Sequence, residues 1–177
     1  MRRYARFIVI PLMLIFLAGC NKEISQTDFM EFAEECRAQE YYQICNELVA
    51  DASTSYYYNH DNGIIFDTYT MLEKCQLDNE AFESVRDQIN EDFNVSEIVS
   101  EYVINDVAYD IYYVEDENRF YGEYQEFGFI AFNEENGYID FYWFYDQDYD
   151  PVIDDADSFD AFFKDNFSWL EKGADAK

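Results

Sequence analysis

Phe120-Tyr-Gly-Glu-Tyr-Gln-Glu-Phe-Gly-Phe-Ile-Ala-Phe132 and Tyr138-Ile-Asp-Phe-Tyr-Trp-Phe-Tyr145, separated by Asn133-Glu134-Glu135-Asn136-Gly137, decide the fold of this chain. Both flanks are rich in aromatic and branched residues, which favour the pleated, half-buried surface of a sheet. The five residues between them end in Asn-Gly, a step that tolerates the positive φ of a tight reversal. Working backwards, Tyr102, Ile104, Val107, Tyr109, Ile111 and Tyr113 alternate about Asn105-Asp106, a second two-residue turn, so four antiparallel strands are expected between Glu101 and Tyr145.

Upstream of Ile98 the period is helical. Ser25 or Thr27 is placed to cap a helix whose first turn carries Asp28 and Glu31, where the helix dipole favours negative charge. Phe29, Phe32, Ala33 and Cys36 form one apolar face and Tyr41, Cys45, Leu48 and Val49 form a rotated one, which predicts a break between Arg37 and Glu40. Ser55 to Tyr58 and Ile64 to Phe66, flanking Asn59-His60-Asp61-Asn62-Gly63, read as a hairpin, although Phe66 to Cys75 also suits an amphipathic helix. Leu77 to Phe93 is a clearer helix, with Phe82, Val85 and Ile89 on one side. Ser158 is expected to cap a last helix with the aromatic stripe Phe159, Phe162, Phe163, Phe167 and Leu170. The expected class is α+β, with N-terminal helices, an antiparallel sheet of at least four strands and a C-terminal helix packed on the sheet.

The first twenty residues are of another kind. Arg2, Arg3 and Arg6 precede an apolar run from Phe7 to Leu17, too short to span a bilayer, which closes in Leu17-Ala18-Gly19-Cys20. This stretch resembles the lipobox signal peptide of bacterial lipoproteins. The resemblance implies cleavage after residue 19 and acylation of Cys20; the polar residues that follow extend a tether over 20–26, and the length of the rest suits one acidic domain over 27–177. The resemblance also implies a lipid-anchored place in the cell envelope, held in the membrane by acyl chains. Asn21 stands where an aspartate would retain an enteric-type lipoprotein in the inner membrane, which points to the periplasmic face of the outer membrane if the cell has two.

Charge limits the partners. The chain carries −28 at neutral pH, and losing the leader removes three arginines and no acid, leaving −31. Such a field repels nucleic acid and anionic head groups and draws in basic proteins and cations. Acid-rich composition also serves solubility in salty surroundings. With 20% aromatic and 49% apolar residues the chain has the material for a core, so the charge does not imply disorder.

Three cysteines follow Cys20. Cys36 and Cys45, nine residues apart, would lie on opposite faces of a continuous helix, so a bridge from Cys75 to Cys45, or alternatively to Cys36, is expected, with three buried reduced thiols as the competing reading. His60 is the single histidine; it has no nucleophile motif beside it and reads as a surface turn residue, so no catalytic residues are assigned. Asp146, Asp148, Asp150, Asp154 and Asp157 fall at EF-hand ligand spacing for calcium, but Pro151 replaces the turn glycine and Asp157 is shorter than the closing glutamate. The competing reading is an exposed acidic loop. Tyr142, Trp143, Phe144 and Tyr145 place rings on both sheet faces, which makes them candidate partner-binding aromatics. The functional expectation is an envelope protein that captures a basic partner, as an immunity- or inhibitor-type lipoprotein does. The alternative is an accessory envelope lipoprotein with a calcium-binding loop.

Overall fold

The computed structural model describes residues 23–62, 67–115, 125–146, 153 and 155–172. The lipobox, including Cys20, lies outside them. The class is α+β, with five helices and one six-stranded antiparallel sheet among the described residues.

Helix α1 (Gln26–Glu35) begins where Ser25 Oγ accepts the Asp28 N–H at 3.1 Å. It stops because Arg37 turns left-handed at φ 60°, letting the Ala38 N–H reach the Ala33 carbonyl at 2.7 Å and the Arg37 N–H reach Glu34. This is the hydrogen-bond pattern of a glycine-terminated helix with arginine in glycine's place. Helix α2 (Gln39–Leu48) follows at once. The next segment is a hairpin displaced from the one expected, whose return strand Ile64 to Phe66 lies outside the described residues. Strands β1 (Ser53–Asn62) and β2 (Asp67–Gln76) pair antiparallel, and β1 runs straight through Asn59 to Asn62, which were expected to turn. His60 therefore sits in a strand, its ring stacked 4.1 Å from that of Tyr69 and its Nε2 3.5 Å from Asp67 Oδ1. Helix α3 (Asn79–Asp92), capped by Asp78, buries Phe82, Val85 and Ile89 and carries the chain toward the far edge of the sheet.

Four strands then return: β3 (Asn94–Ile104), β4 (Val107–Glu115), β5 (Gln125–Asn133) and β6 (Tyr138–Asp146). Sheet order is β1-β2-β6-β5-β4-β3, so β6 pairs with β2 and both are central. Asn105 and Asp106, at φ 50° and 65°, make the tight turn between β3 and β4. Gly137, at φ 66°, closes the β5–β6 hairpin, and its carbonyl accepts the Leu77 N–H at 2.9 Å. Helices α4 (Ala156–Phe167) and α5 (Trp169–Lys172) end the described chain. The cap of α4 is Asp155, not Ser158: Asp155 Oδ1 accepts the Ser158 N–H at 2.8 Å, and Ser158 Oγ accepts the Asp155 N–H at 3.0 Å, a reciprocal box that uses Ser158 from inside the helix.

Strand alternation divides the interior in two. Met71, Cys75, Ile130, Phe141 and Trp143 join a core with Phe29, Tyr42, Phe82 and Ile89 of α1 to α3. Phe127, Phe129, Ile111, Tyr142 and Phe144 join a second core with Phe159, Phe162, Phe163 and Phe167 of α4. Its rings meet mostly edge to face, and Phe129 stacks on Tyr142 at 4.5 Å. Helices cover both faces of the sheet at the centre of β6, and this corrects one expectation. Tyr142, Trp143, Phe144 and Tyr145 are all buried, two in each core, and offer no surface to a partner.

Candidate functional site

Two places on the domain have chemistry to offer: the outer side of the N-terminal helices, and a cavity beside α5. On the first, the amphipathic pattern that buries Phe29, Ala33, Tyr41 and Cys45 turns every acid outward. Glu23, Asp28, Glu31, Glu34, Glu35, Glu40, Glu47 and Asp51 are exposed, and Arg37 is the one exposed cation among residues 23–51. Helix α3 extends this layer with Glu80, Glu83, Asp87 and Glu91. Its Arg86 is engaged by Glu83 and, at 3.3 Å, by Glu134. Lys164 on α4 is similarly held by Asp160 at 2.7 Å. Local ion pairs absorb these two cations, so the carboxylates of α1 and α2 keep their field.

The second place is a cavity of about 410 Å³ between the outer half of the sheet and α5. Lys74 of β2 and Asp140 of β6 are cross-strand partners in the register, both on the α4 side of the sheet. Lys74 Nζ lies 3.5 Å from Asp140 Oδ2, donates to Tyr109 Oη at 3.1 Å, and sits 4.5 Å above the Tyr138 ring. Asp140 is buried, and its Oδ1 has no hydrogen-bond partner. Burial pushes the carboxyl up to about 6, against the Lys74 ammonium and the hydroxyls of Tyr109 and Tyr142, which pull it down. Trp169 walls the cavity from α5, its Nε1 fixed on Thr70 Oγ1 at 2.9 Å.

On the opposite face Glu73 is fully buried among Asn46, Cys75 and Tyr56. Asn46 Nδ2 reaches Glu73 Oε2 at 3.4 Å and the Cys75 thiol lies 3.8 Å from Oε1, contacts too long to stabilise a charge well. Burial pushes Glu73 up to about 8. The three thiols are buried and unbridged: the bond expected from Cys75 to Cys45 is not formed, nor the alternative to Cys36. Each has other company. Cys36 Sγ lies 3.2 Å from Met71 Sδ, and Cys75 Sγ lies 3.7 Å from Thr54 Oγ1. Desolvation pushes Cys36 up to about 12 and raises Cys45 and Cys75 as well, leaving all three as neutral core groups.

Of the calcium candidates, Asp148, Asp150 and Asp154 lie outside the described residues. Asp146 ends β6, buried, and accepts a hydrogen bond from Thr68 Oγ1; Asp157 is exposed in the first turn of α4. Among the described residues no group of three His, Cys, Asp or Glu is arranged around a metal ion. Sequence reasoning missed Lys74, Asp140 and Glu73. Their signal was present: each is a charge in the middle of an aromatic or aliphatic strand, and Lys74 is one of only eleven basic residues.

What fold and site define is an antiparallel α+β domain with an acidic helical side and a small half-open cavity. Comparison of the chain with protein-family models, with curated proteins and with solved structures returns no match.

Proposed function

We propose that this is a lipid-anchored envelope protein, acylated at Cys20, that captures a basic protein through the acidic outer side of α1 and α2. The observation that carries the reading is the row of exposed carboxylates from Glu23 to Asp51, which no ring of lysines or arginines offsets. Long-range attraction from such a face raises the association rate of a cationic partner and sets the orientation in which it arrives. Burial of the sheet aromatics shifts the weight of recognition onto charge. Neutralising a cationic toxin or a peptidoglycan-cleaving enzyme is the concrete form of this reading.

The test uses soluble Asn21 to Lys177, tagged at its carboxyl end, to retain proteins from envelope and secreted fractions, followed by binding kinetics with each purified basic protein retained. A stoichiometric complex that survives about 0.15 M salt, with an association rate at least tenfold lower for a Glu31→Lys, Glu34→Lys, Glu40→Lys variant, supports capture. Binding that is lost entirely at that salt, or is indifferent to the three reversals, overturns it.

A further inference from the structure

We propose that the cavity beside α5 is a binding site for a neutral saccharide of one or two rings. This goes beyond protein capture and does not depend on it, since the cavity lies on the α4 and α5 side of the sheet. A volume of about 410 Å³ falls in the range of small-molecule sites, and the lining combines flat aromatic walls with two convergent polar groups, as such sites do.

The two polar groups decide the charge of the ligand. Lys74 and Asp140, 3.5 Å apart, neutralise one another at the cavity floor. An ion entering would have to take one of them from the other and leave an uncompensated charge in a buried place, which is costly. The overall field of −28 further opposes anions. The half-exposed Lys74 ammonium opposes cations. A neutral ligand keeps the pair intact.

The same groups decide its hydrogen-bonding pattern. Asp140 Oδ1 has no donor in hydrogen-bonding geometry, although the Tyr109 and Tyr142 hydroxyls lie near the carboxylate, a deficit that buried carboxylates seldom carry. Lys74 has three N–H donors, of which Tyr109 Oη and Asp140 take two. An acceptor lacking a donor therefore lies beside an ammonium that is partly open to solvent and has an N–H to spare. Neighbouring hydroxyls on a sugar ring supply both at that spacing, one giving its proton to Asp140 and the next accepting from Lys74. Tyr138 and Trp169 provide the remaining match, since the C–H faces of a pyranose pack on aromatic rings. A free amino acid could offer a donor and an acceptor too, but only by bringing two further charges to a pair already balanced.

Tryptophan emission gives a local readout, because Trp169 walls the cavity while Trp143 is buried in the other core. The domain from Asn21 to Lys177 is titrated with glucose, galactose, arabinose, N-acetylglucosamine, cellobiose and diacetylchitobiose, and in parallel with glycine, lysine and glutamate. At least one saccharide is expected to change the emission saturably, with a dissociation constant of about 0.01–1 mM. Lys74→Gln is expected to weaken that binding at least tenfold. Tyr138→Leu, at a half-buried wall position, is expected to do the same and carries the test if Lys74→Gln does not fold. No saturable response to any saccharide, a response that neither variant weakens, or saturation by an amino acid instead would overturn the proposal.

Discussion

Replacing Glu73 by glutamine should make the domain more stable, increasingly so as the pH rises from 4.5 to 8. Glu73 is fully buried, with one amide donor at 3.4 Å and one thiol at 3.8 Å, and burial pushes it from 4.5 up to about 8. The folded chain thus holds this proton more tightly than the unfolded chain. Below pH 4.5 both states are protonated and Glu73 adds no pH dependence. Between 4.5 and 8 the unfolded state alone releases the proton, so stability falls at about 1.4 kcal/mol per pH unit, and above 8 both states have lost it. The full loss is about 5 kcal/mol, a large share of the 5–15 kcal/mol that typically separates folded from unfolded domains. Glutamine keeps the shape and carries no charge. The difference in melting temperature between Glu73→Gln and the parent, followed by circular dichroism from pH 4 to 9 at about 0.3 M salt to screen the surface acids, should rise from its low-pH value and level off above 8. At about 2–4 °C per kcal/mol the rise amounts to about 10–20 °C. A difference that stays constant across that range would show that Glu73 is solvated or paired when folded, and would refute the burial argument.

Gly137→Ala should cost about 2 kcal/mol or more in chemical denaturation, because the added Cβ must accept φ 66° and would meet the Leu77 carbonyl oxygen at 2.3 Å. Phe129→Ala, in the middle of the second core, should lose about 3–5 kcal/mol, with the near-ultraviolet signal of the ring cluster reduced; a loss under about 1 kcal/mol would mean that α4 does not seal that face. The soluble domain should release three thiols to a thiol reagent only on unfolding, and its melting temperature should not respond to a reductant; one reactive thiol after unfolding would reveal a bridge.

Much of the architecture was legible locally. The Asn-Gly turn at 136–137, the Asn105-Asp106 turn, the break near Arg37 and the apolar stripes of α1, α2, α3 and α4 depend on steric rules within a few residues, so pattern alone places them. The segment from Phe66 to Cys75 was ambiguous because its apolar spacing suits both periods, and the pairing of Asp67–Gln76 with β1 and β6 makes that part of it a strand. The same pairing brings Lys74 opposite Asp140, residues that no local pattern connects. The turn proposed at Asn59 to Asn62 gave way for a similar reason, since ten pairs with β2 outweigh a local preference for reversal.

The sequence by itself determined the charge of the domain, the helices α1 to α4, the β3–β4 and β5–β6 hairpins, and the lipobox resemblance of its first twenty residues, because these depend on composition and on neighbours along the chain. Only the tertiary structure decided which way the rings face. Tyr142 to Tyr145 alternate in any strand, and whether the second face meets water or another helix depends on α4, which comes later in the chain and packs there through Phe159, Phe162, Phe163 and Phe167. The cavity and its Lys74–Asp140 pair have the same origin: burial is a property of what surrounds a residue in space, and a one-dimensional pattern records only half of it.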